Sequence, residues 1–180
     1  METVRLFIGT YIDNRLILPH YDNIKKDFLE VCGGKWVEPE NMHFTYKFIG
    51  DVFIPLAQAI KNTLKDTLKT YNNELKLQGM GSFPNQRTPK VLFIKIFNKD
   101  NLLRSIYRTI EAKMKPLGFE PEAGRFNPHL TLLRIKSYKS EEFSNLIEQY
   151  STFDYGTMSS FKVSLIKSTL MRTGPIYEEY

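Results

Sequence analysis

The sequence predicts an α+β fold built twice over, with two antiparallel sheets flanking a central groove and helices covering their outer faces. Three observations carry this expectation. The tetrad His-x-Thr-x occurs as His43-Phe44-Thr45-Tyr46 and again as His129-Leu130-Thr131-Leu132, 86 positions later (129 − 43), in a chain of 180 residues with only three histidines. The same offset relates Leu6-Phe7-Ile8 to Leu92-Phe93-Ile94, and Leu75-Lys76-Leu77 to Phe161-Lys162-Val163. Registers that share one spacing indicate an internal duplication, and twice 86 nearly fills the chain. Finally, strand-like and helix-like patterns recur in the same order in both halves, as β-α-β units with appended α-β elements. Residues 1–180 are therefore expected to form one domain of two interleaved lobes, related by a pseudo-two-fold axis.

In the first half, Val4 to Gly9 is an apolar run that reads as a strand. Tyr21 to Val31 reads as a helix with Ile24, Phe28, Leu29 and Val31 at its apolar positions, stopped by Gly33-Gly34. Trp36 lies in a short extended piece before the first tetrad strand, Met42 to Ile49, which closes at Gly50. Pro55 to Tyr71 has Leu56, Ala59, Ile60, Thr63, Leu64 and Leu68 on one helical face, with Pro55 suited to the first turn. Glu74 to Met80 alternates as a strand. Gly79 to Lys90, holding Gly79, Gly81, Pro84 and Pro89, reads as the loop-like boundary between halves.

The second half repeats the plan. Val91 to Phe97 reads as a strand, and Leu102 to Met114 as a helix carrying Leu102, Leu103, Ile106, Ile110 and Met114. Pro116 and Gly118 end it. The second tetrad strand runs from Pro128 to Ile135, followed by a helix from Glu141 to Tyr150, a strand from Ser160 to Lys167 and an extended pair through Tyr177.

Composition narrows the class without naming a function. The chain is 42% hydrophobic and 25% charged, as in soluble globular proteins. No apolar stretch approaches membrane-spanning length, and Met1-Glu2-Thr3-Val4-Arg5 lacks a signal-peptide pattern. The single cysteine, Cys32, excludes an intramolecular disulfide and a cysteine-rich zinc site, and a reducing cytoplasm is the natural inference. A formal charge of +5 is compatible with a polyanionic substrate without demanding one.

The chemistry lies in the tetrads. Side chains alternate along a strand, so His and Thr two positions apart share a face, while Phe44 and Tyr46, or Leu130 and Leu132, take the other. Two such strands would bring two imidazoles and two hydroxyls to one cleft. A zinc site needs a further ligand, yet neither tetrad strand holds a carboxylate, and Asp51 falls past Gly50. No Asp is evidently placed to orient a serine-type base. A metal-free acid–base pair remains. One imidazole accepts a proton and the other donates one near neutrality, while the Thr hydroxyls bind non-bridging phosphate oxygens. This division of labour suits phosphodiester cleavage.

The paired motif resembles the signature of the two-histidine (2H) phosphoesterases. Within them, Met42-His43-Phe44-Thr45-Tyr46-Lys47-Phe48-Ile49-Gly50 and Phe126-Asn127-Pro128-His129-Leu130-Thr131-Leu132-Leu133-Arg134 are similar to the RNA 2′,3′-cyclic phosphodiesterases, once called 2′–5′ RNA ligases. Arg5-Leu6-Phe7-Ile8, Trp36, Gly81-Ser82-Phe83-Pro84, Ser168-Thr169-Leu170 and Gly174-Pro175-Ile176-Tyr177 extend the likeness over essentially the whole chain. The resemblance implies the same bilobal fold and a cofactor-independent opening of RNA 2′,3′-cyclic phosphate ends to a 2′-phosphate. It assigns His43 and His129 as the catalytic pair, and Thr45, Thr131 and Arg134 as phosphate ligands. In a regular strand Arg134 falls on the face opposite His129, though a bulge or strand end could turn it inward. Tyr46 stands where the family often has Leu, and Gly9-Thr10-Tyr11 replaces its usual run after the first strand. Phe48, Tyr11 and Phe126 are aromatic candidates for base stacking. The expected partner is RNA with 2′,3′-cyclic phosphate ends, with no membrane and a monomeric chain. Three other readings stay open: the reverse ligation of a cyclic end to a 5′-hydroxyl, a non-catalytic RNA-end-binding module, and a relative acting on another cyclic phosphate such as a small nucleotide.

Overall fold

The chain alternates strands and helices through both halves, in a computed structural model that describes residues 2–180. The first half runs β1 (Thr3–Tyr11), α1 (Leu18–Leu29), β2 (Cys32–Trp36), β3 (His43–Phe53), α2 (Ile54–Leu64), β4 (Thr70–Tyr71) and β5 (Leu75–Phe83). The second runs β6 (Val91–Asn98), α3 (Leu102–Met114), β7 (His129–Tyr138), α4 (Ser140–Gln149), β8 (Asp154–Met158), β9 (Phe161–Lys162), β10 (Ser164–Leu170) and β11 (Pro175–Glu179).

One sheet has the order β11-β10-β1-β3 and the other β2-β7-β6-β5-β8, with every pairing antiparallel. The two halves exchange strands: β10 and β11, from the second half, join the sheet of β1, and β2 and β5, from the first, pair with β7 and β6. The central strands are the apolar triplets of the duplication, with Leu6 and Ile8, and Leu92 and Ile94, almost wholly enclosed. Helices cover these strands with apolar stripes at helical spacing: Tyr21, Ile24 and Phe28 on α1, Ala57, Ile60 and Leu64 on α2, and Leu103, Ile106, Ile110 and Met114 on α3. Phe28 meets Phe143 edge-on at 5.9 Å, joining α1 to α4.

Several boundaries differ from the sequence expectation, each for a tertiary reason. The first helix begins at Leu18, since Pro19 lacks only an N–H that a first turn leaves unpaired. Gly33-Gly34 do not stop that helix; they lie in β2 against β7, where a Cβ on Gly34 would collide with the Arg134 carbonyl. The second helix ends at Leu64, not Tyr71, because Thr70–Tyr71 pair with Phe161–Lys162 and the Tyr71 ring stacks on Phe161 at 5.3 Å. β3 continues past Gly50 to Phe53, held by pairing of Arg5 with Asp51 and Val4 with Val52. Gly79 to Phe83 belongs to β5, with Gly79 at φ +72° where its ladder slips, so the connection between halves is shorter than expected. Strand β8 carries no strong periodicity and was not anticipated. The expected strand from Ser160 to Lys167 divides at Val163, one part pairing with β4 and the other with β1.

Candidate active site

The two tetrad strands are matched in fine detail. From His43 to Phe48 and from His129 to Arg134 the burial pattern is identical: half-buried, buried, half-buried, buried, buried, exposed. Two adjacent buried residues break strict alternation, and the ladders show why. The partner of β3 steps from Gly9, opposite Thr45, to Ile8, opposite Lys47. The partner of β7 steps from Phe93, opposite Thr131, to Leu92, opposite Leu133. Tyr46 and Leu132 are thus the extra residues of equivalent β-bulges. The bulge carries the fifth position after each histidine back to the groove face, so Arg134 and its counterpart Phe48 both line the groove.

Each imidazole is held the same way. Nδ1 of His43 lies 2.6 Å from the Asn41 carbonyl oxygen, and Nδ1 of His129 lies 2.8 Å from that of Asn127. A carbonyl only accepts, so Nδ1 carries the proton in the neutral ring and Nε2 keeps its lone pair for the groove. Aromatic rings flank both: Phe7 and Tyr177 at 4.9 and 5.0 Å from His43, and Phe93 and Phe83 at 5.1 and 4.8 Å from His129. Gly81 makes room for this, since a Cβ there would stand 2.7 Å from the Phe93 ring. Burial pushes both imidazoles below the ordinary 6.5, against the opposing pull of the carbonyl bonds. The Arg134 cation lowers both further, and His129 adds to the effect on His43.

Between the sheets lies a groove of about 1230 Å³ that holds both histidines, Thr45, Thr131, Arg134, Phe48 and Phe126. Tyr11 is not among its lining residues; burial and the neighbouring Glu179 hold its phenol above the ordinary range. Phe126 lies parallel to Tyr107 at 4.5 Å and to Tyr46 at 5.8 Å, so its own ring is engaged in a protein stack. His20 packs edge-on to Phe153 at 5.0 Å, away from the groove.

Sequence reasoning missed a buried ion pair behind the site. Lys47 is 2% exposed, and its Nζ donates to Glu111 Oε1 and Oε2 at 2.9 and 3.1 Å and to the Glu120 carbonyl at 2.9 Å. Three donors meet three acceptors, which ties β3 to α3 and to the segment leading into β7. No local pattern marks such a lysine. The asparagine two places before each histidine was missed as well, although the 86-residue offset between Asn41 and Asn127 could have marked it. Among the described residues no cluster of three or more His, Cys, Asp or Glu side chains could hold a metal ion, and no helix is long and apolar enough to cross a membrane.

Comparison with known proteins places the chain in a family. The family described as LigT like Phosphoesterase matches residues 19–93 and 96–177, one His-x-Thr-x tetrad in each segment. A protein of Aquifex aeolicus named RNA 2′,3′-cyclic phosphodiesterase is 35% identical over 179 residues, covering 98% of this chain and 95% of its own. One of the same name from Methanothermobacter thermautotrophicus is 34% identical, covering 98% and 96%. In fold, the chain is similar to Escherichia coli LigT complexed with 3′-AMP, at TM-score 0.70 and 19% identity over 99% of this chain and 96% of that one. With the match spanning most of both halves and relatives this similar from end to end, the protein belongs to the LigT-like phosphoesterases of the two-histidine superfamily.

Proposed function

We propose that this protein is an RNA 2′,3′-cyclic phosphodiesterase that opens a terminal cyclic phosphate to a 2′-phosphate, with His43 and His129 as its acid–base pair. The observation that carries this reading is the matched pair of imidazoles, each with Nδ1 bound to a backbone carbonyl and Nε2 left for one shared groove. The name of the relatives that match nearly end to end supports the substrate class.

In this mechanism a neutral imidazole takes a proton from water as its oxygen attacks phosphorus. The phosphorus–O3′ bond breaks, and the other imidazole, as its cation, delivers a proton to the leaving 3′ oxygen. Thr45 and Thr131 hydroxyls donate to the non-bridging oxygens, and Arg134 balances the charge that grows there. The product is a 2′-phosphomonoester with a free 3′-hydroxyl. No step calls on a metal or a cofactor.

The pH profile tests the pairing. The reactive state needs one neutral and one protonated imidazole, so kcat/KM should be bell-shaped, its limbs belonging to the coupled pair. With both groups lowered from 6.5, the maximum falls on the acid side of that value. The decisive assay follows a short RNA ending in a 2′,3′-cyclic phosphate, in excess chelator, and identifies the product by phosphorus NMR. Turnover to the 2′-phosphate with a bell-shaped profile is expected. A rate that vanishes with chelator and returns with one divalent ion would overturn the metal-free mechanism.

A further inference from the structure

The groove is larger than its chemistry needs. Its volume of about 1230 Å³ exceeds the roughly 300–1,000 Å³ that encloses a drug-sized ligand. In the proposed mechanism the two histidines and two threonines act only on the phosphate and the oxygens bonded to it. From them the groove runs past Phe48 to α3 and the segment before β7, where Arg104, Tyr107 and Arg125 line it.

Arg104 and Tyr107 stand one turn apart on the same face of α3. Tyr107 is the half-exposed end of an aromatic stack that continues through Phe126, parallel to within 5°, to the buried Tyr46. Among the described residues neither Arg104 nor Arg125 forms a salt bridge with a carboxylate. This end of the groove is tied to the first tetrad strand. Glu111, further along the same helix, and the Glu120 carbonyl both receive the buried Lys47, and Glu122 accepts from the Phe48 backbone N–H at 3.3 Å. Carboxylates line the groove too: Glu122 next to this segment, and Glu38 and Glu40 from the segment after Lys35.

We infer that the α3 end of the groove is a second nucleotide subsite, in which Tyr107 supports the base on the 5′ side of the cyclic-phosphate nucleotide and Arg104 and Arg125 hold the phosphates flanking it. This rests on the cyclic phosphodiesterase reading and deepens it: the preferred substrate is an RNA strand end, not a mononucleotide. A stacked base plus phosphate contacts correspond to a gain of about ten-fold or more in kcat/KM for a strand over a mononucleotide.

The test compares a decaribonucleotide ending in a 2′,3′-cyclic phosphate with 2′,3′-cyclic adenosine monophosphate, for wild type, Arg104→Ala, Arg125→Ala and Tyr107→Leu. The ratio of kcat/KM between strand and mononucleotide should exceed about ten in wild type and collapse at least five-fold in each variant. Each arginine variant should also reduce the salt slope of strand binding by about one. A ratio near one in wild type, or variants that lose both substrates equally, would overturn the subsite. Anisotropy binding of a fluorescent decaribonucleotide ending in a 2′-phosphate, competed by 2′-AMP, reads the same preference without turnover. A wild type that cleaves neither substrate therefore sinks the phosphodiesterase reading, while the binding ratio still decides the subsite.

Discussion

At the scale of single residues, the site depends on a few atoms whose surroundings set their protonation. Replacing His43 or His129 by Ala should lower turnover by about two to four orders of magnitude, the scale of a positioned proton donor or acceptor. The double variant should be little worse than the poorer single one, because the pair acts as a unit; single-turnover rates on a cyclic-phosphate RNA measure both. Arg134 has a separate signature. It lowers both imidazoles, so Arg134→Ala removes a nearby cation, makes protonation easier and moves the bell-shaped profile toward higher pH while weakening phosphate binding. A profile that stays in place while KM rises would show that Arg134 lies electrically apart from the histidines. Lys47 acts on stability. Lys47→Ala leaves Glu111 charged and buried without its partner and should cost about 3–5 kcal/mol by urea unfolding. The paired change Lys47→Met with Glu111→Leu should recover much of that loss, since packed apolar groups replace a buried ion pair at little cost.

At the scale of elements, the bulges in β3 and β7 matter more than the regular strand. A flat strand keeps His and Thr on one face but sends the fifth position after His to the other. The extra residues Tyr46 and Leu132 bring Phe48 and Arg134 back. The His and Thr placement was therefore legible in the sequence through simple alternation, whereas Arg134 needed a bulge that no local pattern announces. Phe126 shows a related limit: its aromatic character was readable, but not the stack on Tyr107 that engages its ring. β2 supports β7 directly behind Arg134, and there Gly34 approaches the Arg134 carbonyl too closely for any side chain. Gly34→Ala must push β2 away, and overpacking of this kind costs about 1–3 kcal/mol. It should also raise KM by disturbing Arg134. A variant with unchanged unfolding midpoint and KM would show that β2 shifts freely.

For the whole molecule, the strand exchange makes the halves mutually dependent. The first half's sheet takes β10 and β11 from the second, and the second half's takes β2 and β5 from the first. Each half alone would leave the central strand of its sheet with an unpaired edge and an uncovered apolar face. Residues 1–86 expressed alone should therefore lack a cooperative unfolding transition, while co-expression with 87–180 should restore both the transition and turnover. A first half that folds by itself, judged by dispersed amide signals in NMR, would contradict this dependence.

The sequence by itself determined the duplication, the α+β class, most strands and helices, and the four polar side chains of the tetrads. All of these follow from short-range periodicity and from one repeated spacing. The tertiary structure decided which sheet β5 and β10 join, where the bulges fall, that Lys47 has a buried carboxylate, and that Tyr11 stays outside the groove while Phe48 and Arg134 enter it. These outcomes depend on partners distant along the chain: 64 residues for Lys47 and Glu111. A strand's own pattern fixes which residues can share a face; only its neighbours fix the register, and the register decides which of them reach the groove.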